Sequence, residues 1–215
     1  MNRLKLPEKF GPRFAMTLSG VLLCAIAVGF FKDSLFGVDP FQCFAQGTWG
    51  GLFSGMTDYG TYYMIISLVL LAVDFFLDKH YIGIATFVNL FLTGYIVDFS
   101  ASTINRLVPD PSLIVRIVFL LVGILVMCLA SSLYMTSDLG VSVYDAVPII
   151  ISNKTKWPFR FCRIGTDVIC VAAGFAAGLV PGIGTLITAF FMGPLVDFFN
   201  RKISRPLLYG KEHRA

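Results

Sequence analysis

Arg163 and Asp167 stand four residues apart in an otherwise apolar stretch, Phe159 to Leu179, so on a helix they share one face. A charge at the centre of a bilayer costs about 2.5–3.5 kcal/mol on insertion scales, so those present must be paired, interfacial or in contact with a solute or ion. Asp167 falls near the middle of its stretch. The pair can serve as a binding site or neutralise itself as structural glue, and the residues alone fit both uses. Asn89 and Thr188 add polar groups midway along two other apolar stretches, where they can face a cavity or bond across helices. With Asp39 and Asp145, which open two short segments described below, they complete the candidate substrate or ion residues.

Other ionisable residues point to structure. Asp98 and Asp197 close two apolar stretches, where a carboxylate opposes the helix dipole and needs a compensating partner. Arg13 and Arg116 open two others, and topology puts Arg13 on the side of Asp197 and Arg116 on the side of Asp98. Two ion pairs, acting as clamps or gates, are expected. Asp74, with Asp78 one turn later, sits close to the end of its stretch and reads as interfacial.

Enzyme chemistry has little support in these residue types. His80 and His213 sit at cytoplasmic ends of the chain's plan, no serine or cysteine has an evident base, and no carboxylate and histidine cluster suits a catalytic metal. The five cysteines (Cys24, Cys43, Cys128, Cys162 and Cys170) show no ligand spacing. We expect no enzyme activity, no cofactor and no metal.

The elements that position these residues follow from composition. Of 215 residues 56% are hydrophobic and 14% charged, against about 25% charged in a soluble domain. The surplus apolar surface needs lipid. Continuous apolar stretches run Phe14 to Phe31, Tyr62 to Leu77, Tyr81 to Phe99, Leu113 to Tyr134, Phe159 to Leu179 and Gly182 to Phe199. Each suits one membrane-spanning helix, for which roughly 17–25 residues suffice. The first follows a basic segment, but Phe30, Phe31 and Lys32 occupy the place of a signal-peptidase site, so it is expected to be retained.

The formal charge of +4 forms no stripe with interleaved aromatics, which argues against a nucleic-acid partner. With the N-terminus in the cytoplasm, only Lys32, Arg106 and Arg116 of the 17 Lys and Arg residues fall outside, and Arg163 lies within a span. That bias places both termini inside.

The chain also repeats. A shift of 99 lays Gly83-Ile84, Thr86, Phe91, Gly94 and Val97-Asp98-Phe99 over Gly182-Ile183, Thr185, Phe190, Gly193 and Val196-Asp197-Phe198. A shift of 103 lays Arg13, Gly20, Ala27, Ser34, Gly37 and Val38 over Arg116, Gly123, Ala130, Ser137, Gly140 and Val141. The fold expected is therefore all-α and membrane-embedded, with six transmembrane helices in a single domain over 1–215. Repeat one covers about 13–100 and repeat two about 116–199, followed by a basic cytoplasmic tail, 200–215. Three spans per half force the second to enter the membrane from the opposite side, so the repeat is inverted, as in many secondary transporters. The small residues Gly20, Ala27, Gly123 and Ala130, with Gly174, Ala177 and Gly178, mark close helix contacts.

After the first span of each half a short capped helix begins. Asp39, Pro40 and Gln42 supply the cap, the first position and the third, as in a capping box; Ser142 and Asp145 supply the cap and the third position in the second half. The segments, Phe41 to Gln46 and Val143 to Ser152, can be re-entrant half-helices aiming their positive ends at a solute path, or interfacial helices anchored by Trp49 and Trp157.

Leu35-Phe36-Gly37-Val38-Asp39-Pro40-Phe41, followed by Gly47, Gly51 and Gly60, resembles the YczE/YitT-like group of bacterial multi-pass membrane proteins. The Gly-Ile-x-Thr and Val-Asp-Phe segments ending each half extend that likeness over nearly the whole chain. Phe36 before Gly37, and Phe41 in place of a common tryptophan, depart from it. The resemblance implies a bacterial cytoplasmic membrane, a six-helix plan and a role in transport, with no substrate. The function expected is alternating-access transport of a small solute or ion in the lipid bilayer. A substrate-binding subunit of an energy-coupling importer and a non-transporting scaffold are the alternatives, and a homodimer is compatible with the sequence.

Overall fold

The computed structural model describes residues 10–57 and 59–210, and within them every side chain except those of Lys79, 91–95, 97, 98 and 101. Among these residues the secondary structure is all helical. The order is α1 (Phe10–Ser34), α2 (Pro40–Thr48), α3 (Tyr59–Asp78), α4 (Ile84–Leu107), α5 (Leu113–Ser137), α6 (Val143–Thr155), α7 (Phe159–Ala176), α8 (Ile183–Phe199) and α9 (Arg205–Tyr209). Each apolar stretch read from the sequence is a helix. Among the described residues, four segments are long and apolar enough to cross a membrane: α1, α3, α5 and the continuous helix Ile183–Tyr209.

The differences in extent have local causes. The short helix after α1 runs from Pro40 and passes without a break into a π-helical turn, Trp49–Phe53, because no residue before Ser54 stops it. Its counterpart α6 continues to Thr155, where Lys156 adopts a left-handed conformation and ends it. Helix α4 starts at Ile84 because Gly83 caps it, and lasts until Val108 precedes Pro109. The Trp49 indole N–H donates to the Thr57 carbonyl at 2.9 Å.

Helices α1 and α5 form the centre, crossing where the small residues predict. A Cβ on Gly20 would sit 3.0 Å from the Ala130 carbonyl oxygen, and one on Gly123 would sit 3.4 Å from the Ala27 carbonyl oxygen. Around this pair α4 packs on α1 and α8 on α5, with Phe31, Leu120, Ile124, Met127 and Met192 in one buried cluster. Helix α2 lies on α7, where Gly47 and Gly174 bring the backbones together and Gly51 meets the Ala177 carbonyl; α6 lies on α3 and α7. Gly178, expected in a close contact, has nothing near its Cβ position and instead supplies a positive φ after α7.

The loops after α1 and α5 dock reciprocally. The Phe36 carbonyl accepts from Gly184 N at 2.9 Å, and the matched Leu139 carbonyl accepts from Ala85 N at 3.0 Å. Thr185 Oγ1 donates to the Val38 carbonyl and Thr86 Oγ1 to the Val141 carbonyl, both at 2.7 Å. Each loop thus pins the start of a helix from the other half. Gly37 and Gly140 make the turns with φ of 118° and 101°, where a side chain is strained.

Large apolar side chains face outward, among them Val69 and Phe76 on α3, Ile114 on α5, Ile169 and Phe175 on α7, and Phe191 on α8. Exposed patches of this extent need a non-aqueous covering.

The reciprocal docking gives a stability prediction. Gly83→Ala would press a Cβ into the Leu139 carbonyl and Gly182→Ala one into the Phe36 carbonyl, whereas Gly11→Ala meets open space. Thermal unfolding in detergent should show each of the first two destabilised by about 1–3 kcal/mol and the third unchanged.

Candidate functional site

The first turns of α2 and α6 meet in the interior beside a cavity of about 430 Å³, within the usual range for small-molecule sites of about 300–1,000 Å³. Helices α1 to α8 all contribute to its wall. The caps form as the sequence predicts. Asp39 Oδ1 accepts from the backbone N–H of Phe41 and of Gln42, each at 3.1 Å, and Ser142 Oγ accepts from Asp145 N at 3.2 Å. Gln42 does not close a capping box; its carbonyl oxygen accepts from the Tyr59 hydroxyl, tying α2 to α3.

Arg163 is the hub. Its Nε donates to Asp167 Oδ2 at 3.1 Å and its Nη1 donates to Asp145 Oδ1, with all three side chains buried. The carboxylates are satisfied on their far sides. Tyr144 donates to Asp167 Oδ1, Tyr134 to Asp145 Oδ2, and Ser142 to the same Asp145 oxygen at 2.9 Å. The guanidinium carbon lies 4.9 Å from the Tyr144 ring centroid, a cation–π distance. Tyr144 in turn stacks on Phe41, 4.8 Å between centroids and 15° between planes.

Of the sequence-derived candidates, Asp39, Asn89, Asp145 and Arg163 line the cavity together. Asp167 stands behind that wall, holding Arg163. Thr188, aligned with Asn89 in the repeat, is buried and donates to the Thr185 carbonyl at 2.9 Å, away from the cavity.

The expected clamp between Arg13 and Asp197 is corrected. Asp197 is held by Arg201 one turn further along, with contacts of 3.1 and 2.6 Å, because the helix continues past Phe199. Arg13 instead donates to the Ser137 carbonyl at the C-terminal end of α5 and lies 3.8 Å from Asp138. A helix C-terminal end, with its partial negative charge, suits that arginine. Arg116 donates from Nε to the Pro111 carbonyl at 3.1 Å, and the Asp98 side chain lies outside the described residues.

Sequence reasoning missed the tyrosines. Tyr59, Tyr63, Tyr134 and Tyr144 all line the cavity, and the only available signal was Tyr144 aligning with Phe41 under the 103-residue shift. It also misplaced Asp74, which is wholly buried with neither carboxylate oxygen in a hydrogen bond. Its face of α3 turns inward at Tyr62, Ser67 and Asp74.

Residues 11–201 match the profile of DUF6198, a family of unknown function. The chain belongs to that family. It is 22% identical to the uncharacterized membrane protein YczE of Bacillus subtilis over 188 residues, 86% of this chain and 84% of that protein. To the uncharacterized protein YyaS of the same organism it is 22% identical over 189 residues, 88% of this chain and 92% of the relative. An uncharacterized protein of Haemophilus influenzae is 29% identical over 124 residues, which cover 58% of this chain and 56% of that protein's length. No solved structure matches. The YczE-like resemblance read from the Gly37 to Phe41 region holds. With YczE a membrane protein by name and four helices able to cross a bilayer, this chain is a membrane protein.

The site yields two stability predictions. Arg163→Gln leaves Asp145 and Asp167 buried without their cation and should cost about 3–5 kcal/mol, read by thermal or denaturant unfolding in detergent. Asp74→Leu removes an unpartnered carboxyl and should raise stability by about 1–3 kcal/mol; a lower melting temperature would mean that the carboxyl has a native partner.

Proposed function

We propose that this protein is an alternating-access transporter of a small solute, built as six spans in two inverted three-helix repeats. The observation that carries the reading is the position of the cavity, at the junction of two sequence-matched halves whose capped helices α2 and α6 both begin at its wall. Transporters of this kind place broken helices and the substrate site at such a junction, near the membrane midplane.

The reciprocal hydrogen bonds support the reading. Phe36 to Gly184 mirrors Leu139 to Ala85, and Val38 to Thr185 mirrors Val141 to Thr86, so each half holds the other through equivalent atoms. Helices α4 and α7 are the fifth and sixth spans. Helix α7 is 18 residues long and carries Arg160, Arg163 and Asp167, yet Ile169 and Phe175 are exposed on it, and its inner charges are paired. The charge bias of the loops favours cytoplasmic termini, and the resemblance to YczE favours a bacterial cytoplasmic membrane. In this arrangement α2 and α6 are re-entrant half-helices.

Single cysteines in a cysteine-free background test both layers of the proposal. A cysteine at Asp110 should react with an impermeant maleimide in intact cells, and one at Lys156 only after permeabilisation; equal behaviour would remove the six-span topology. A cysteine at Gln46, on the cavity wall, should label from either face of the membrane in oriented vesicles. Labelling from one face alone would leave a fixed pocket and favour the scaffold or importer-subunit reading.

A further inference from the structure

Resting on that reading, we propose that the central cavity takes an organic monocation, an amine or quaternary ammonium, with Asp39 as its counter-ion and a run of aromatic rings as its wall. Asp39 commits one oxygen to the α2 cap. Among the described residues its Oδ2 carries no hydrogen bond and no Lys or Arg pairs with it, while the residue lines the cavity. A carboxylate left open toward a chamber in a membrane protein needs a cation from outside the fold.

The other charges are already matched. The two helix N-termini that would attract an anion are occupied by their own caps, Asp39 and Ser142, and Arg163 is shared by two carboxylates. Arg163 already faces both Asp145 and Asp167, so among the described residues it supplies no ion pair to Asp39. An anionic solute would meet an Arg163 whose charge is already offset by two carboxylates. A cation displaces nothing.

The walls favour a cation that is organic rather than a bare metal ion. Tyr59 and Tyr63 have centroids 5.9 Å apart, Tyr63 and Phe41 5.6 Å, and Phe41 and Tyr144 4.8 Å, so four rings run side by side along the lining. Tyr144 is already stacked on Phe41 and approached by Arg163, but aromatic faces left open, as along Tyr59 and Tyr63, attract alkylammonium groups through the ring quadrupole and cover their apolar substituents, whereas a hydrated metal ion would need further oxygen ligands.

The test compares choline with 3,3-dimethylbutan-1-ol, its uncharged carbon isostere, by titration calorimetry on purified full-length protein in nanodiscs, for the wild type and Asp39→Asn. Asparagine is as good an N-cap as aspartate, so the variant keeps α2 while losing the charge. The wild type should prefer choline by roughly tenfold or more, and Asp39→Asn should bind the two alike. No choline binding, or equal binding of both by the wild type, overturns the proposal whether or not the variant folds; a preference that survives in a folded Asp39→Asn removes Asp39 as the counter-ion and overturns it equally. The transport reading fails separately. Selective binding with a Gln46 cysteine labelled from one face only would keep the cation site and discard alternating access, and two-faced labelling without choline selectivity would do the reverse.

Discussion

A single guanidinium between two carboxylates sets the terms for the interior of this protein. Arg163 joins Asp167 on its own helix to Asp145 on the first turn of α6, so one cation fixes the angle between a long helix and a short one. Buried charges repay their desolvation only when the geometry is good and every remaining lone pair has a donor. Tyr134, Tyr144 and Ser142 supply those donors, which extends the requirement to α5. The positions of the aromatic wall and of both capped helices follow from keeping this cluster satisfied.

The sequence repeats, but its chemistry does not. Under the 103-residue shift Asp145 corresponds to Gln42, Tyr144 to Phe41 and Ser142 to Asp39. The residues of α3 that lie 99 to 103 positions before Arg163, from Gly60 to Met64, carry no charge at all. Segments matched in sequence therefore carry different side chains around the one cavity. The matched glycines, Gly37 with Gly140 and Gly20 with Gly123, preserve the frame because they answer to backbone geometry, which both halves share.

That distinction explains what could be read from the amino-acid sequence. Long apolar runs, Asp39 and Ser142 as caps and the glycine pairs are signals in local chemistry, and the helices and close contacts appear where they point. Arg163 with Asp167 was legible because the partners lie one turn apart. Asp145 was legible as a cap but not as the second carboxylate on Arg163, since that contact depends on how α6 lies against α7. The Arg13 and Asp197 pairing failed for a related reason: sidedness in the membrane says which charges share an end, while Arg201, one turn from Asp197, decides which are in reach. The inward face of α3 at Asp74 is likewise set by tertiary packing, which the position near a helix end does not reveal.

The seam between α2 and α7 has a different consequence. Gly47 against Gly174 and Gly51 against the Ala177 carbonyl bring backbone against backbone, with the small Cys43 side chain beside Gly174. Helices that mesh by ridges and grooves must climb over each other's teeth to move, and so occupy discrete positions. A seam built on small residues holds its two helices close while offering few teeth to fix their register along its length.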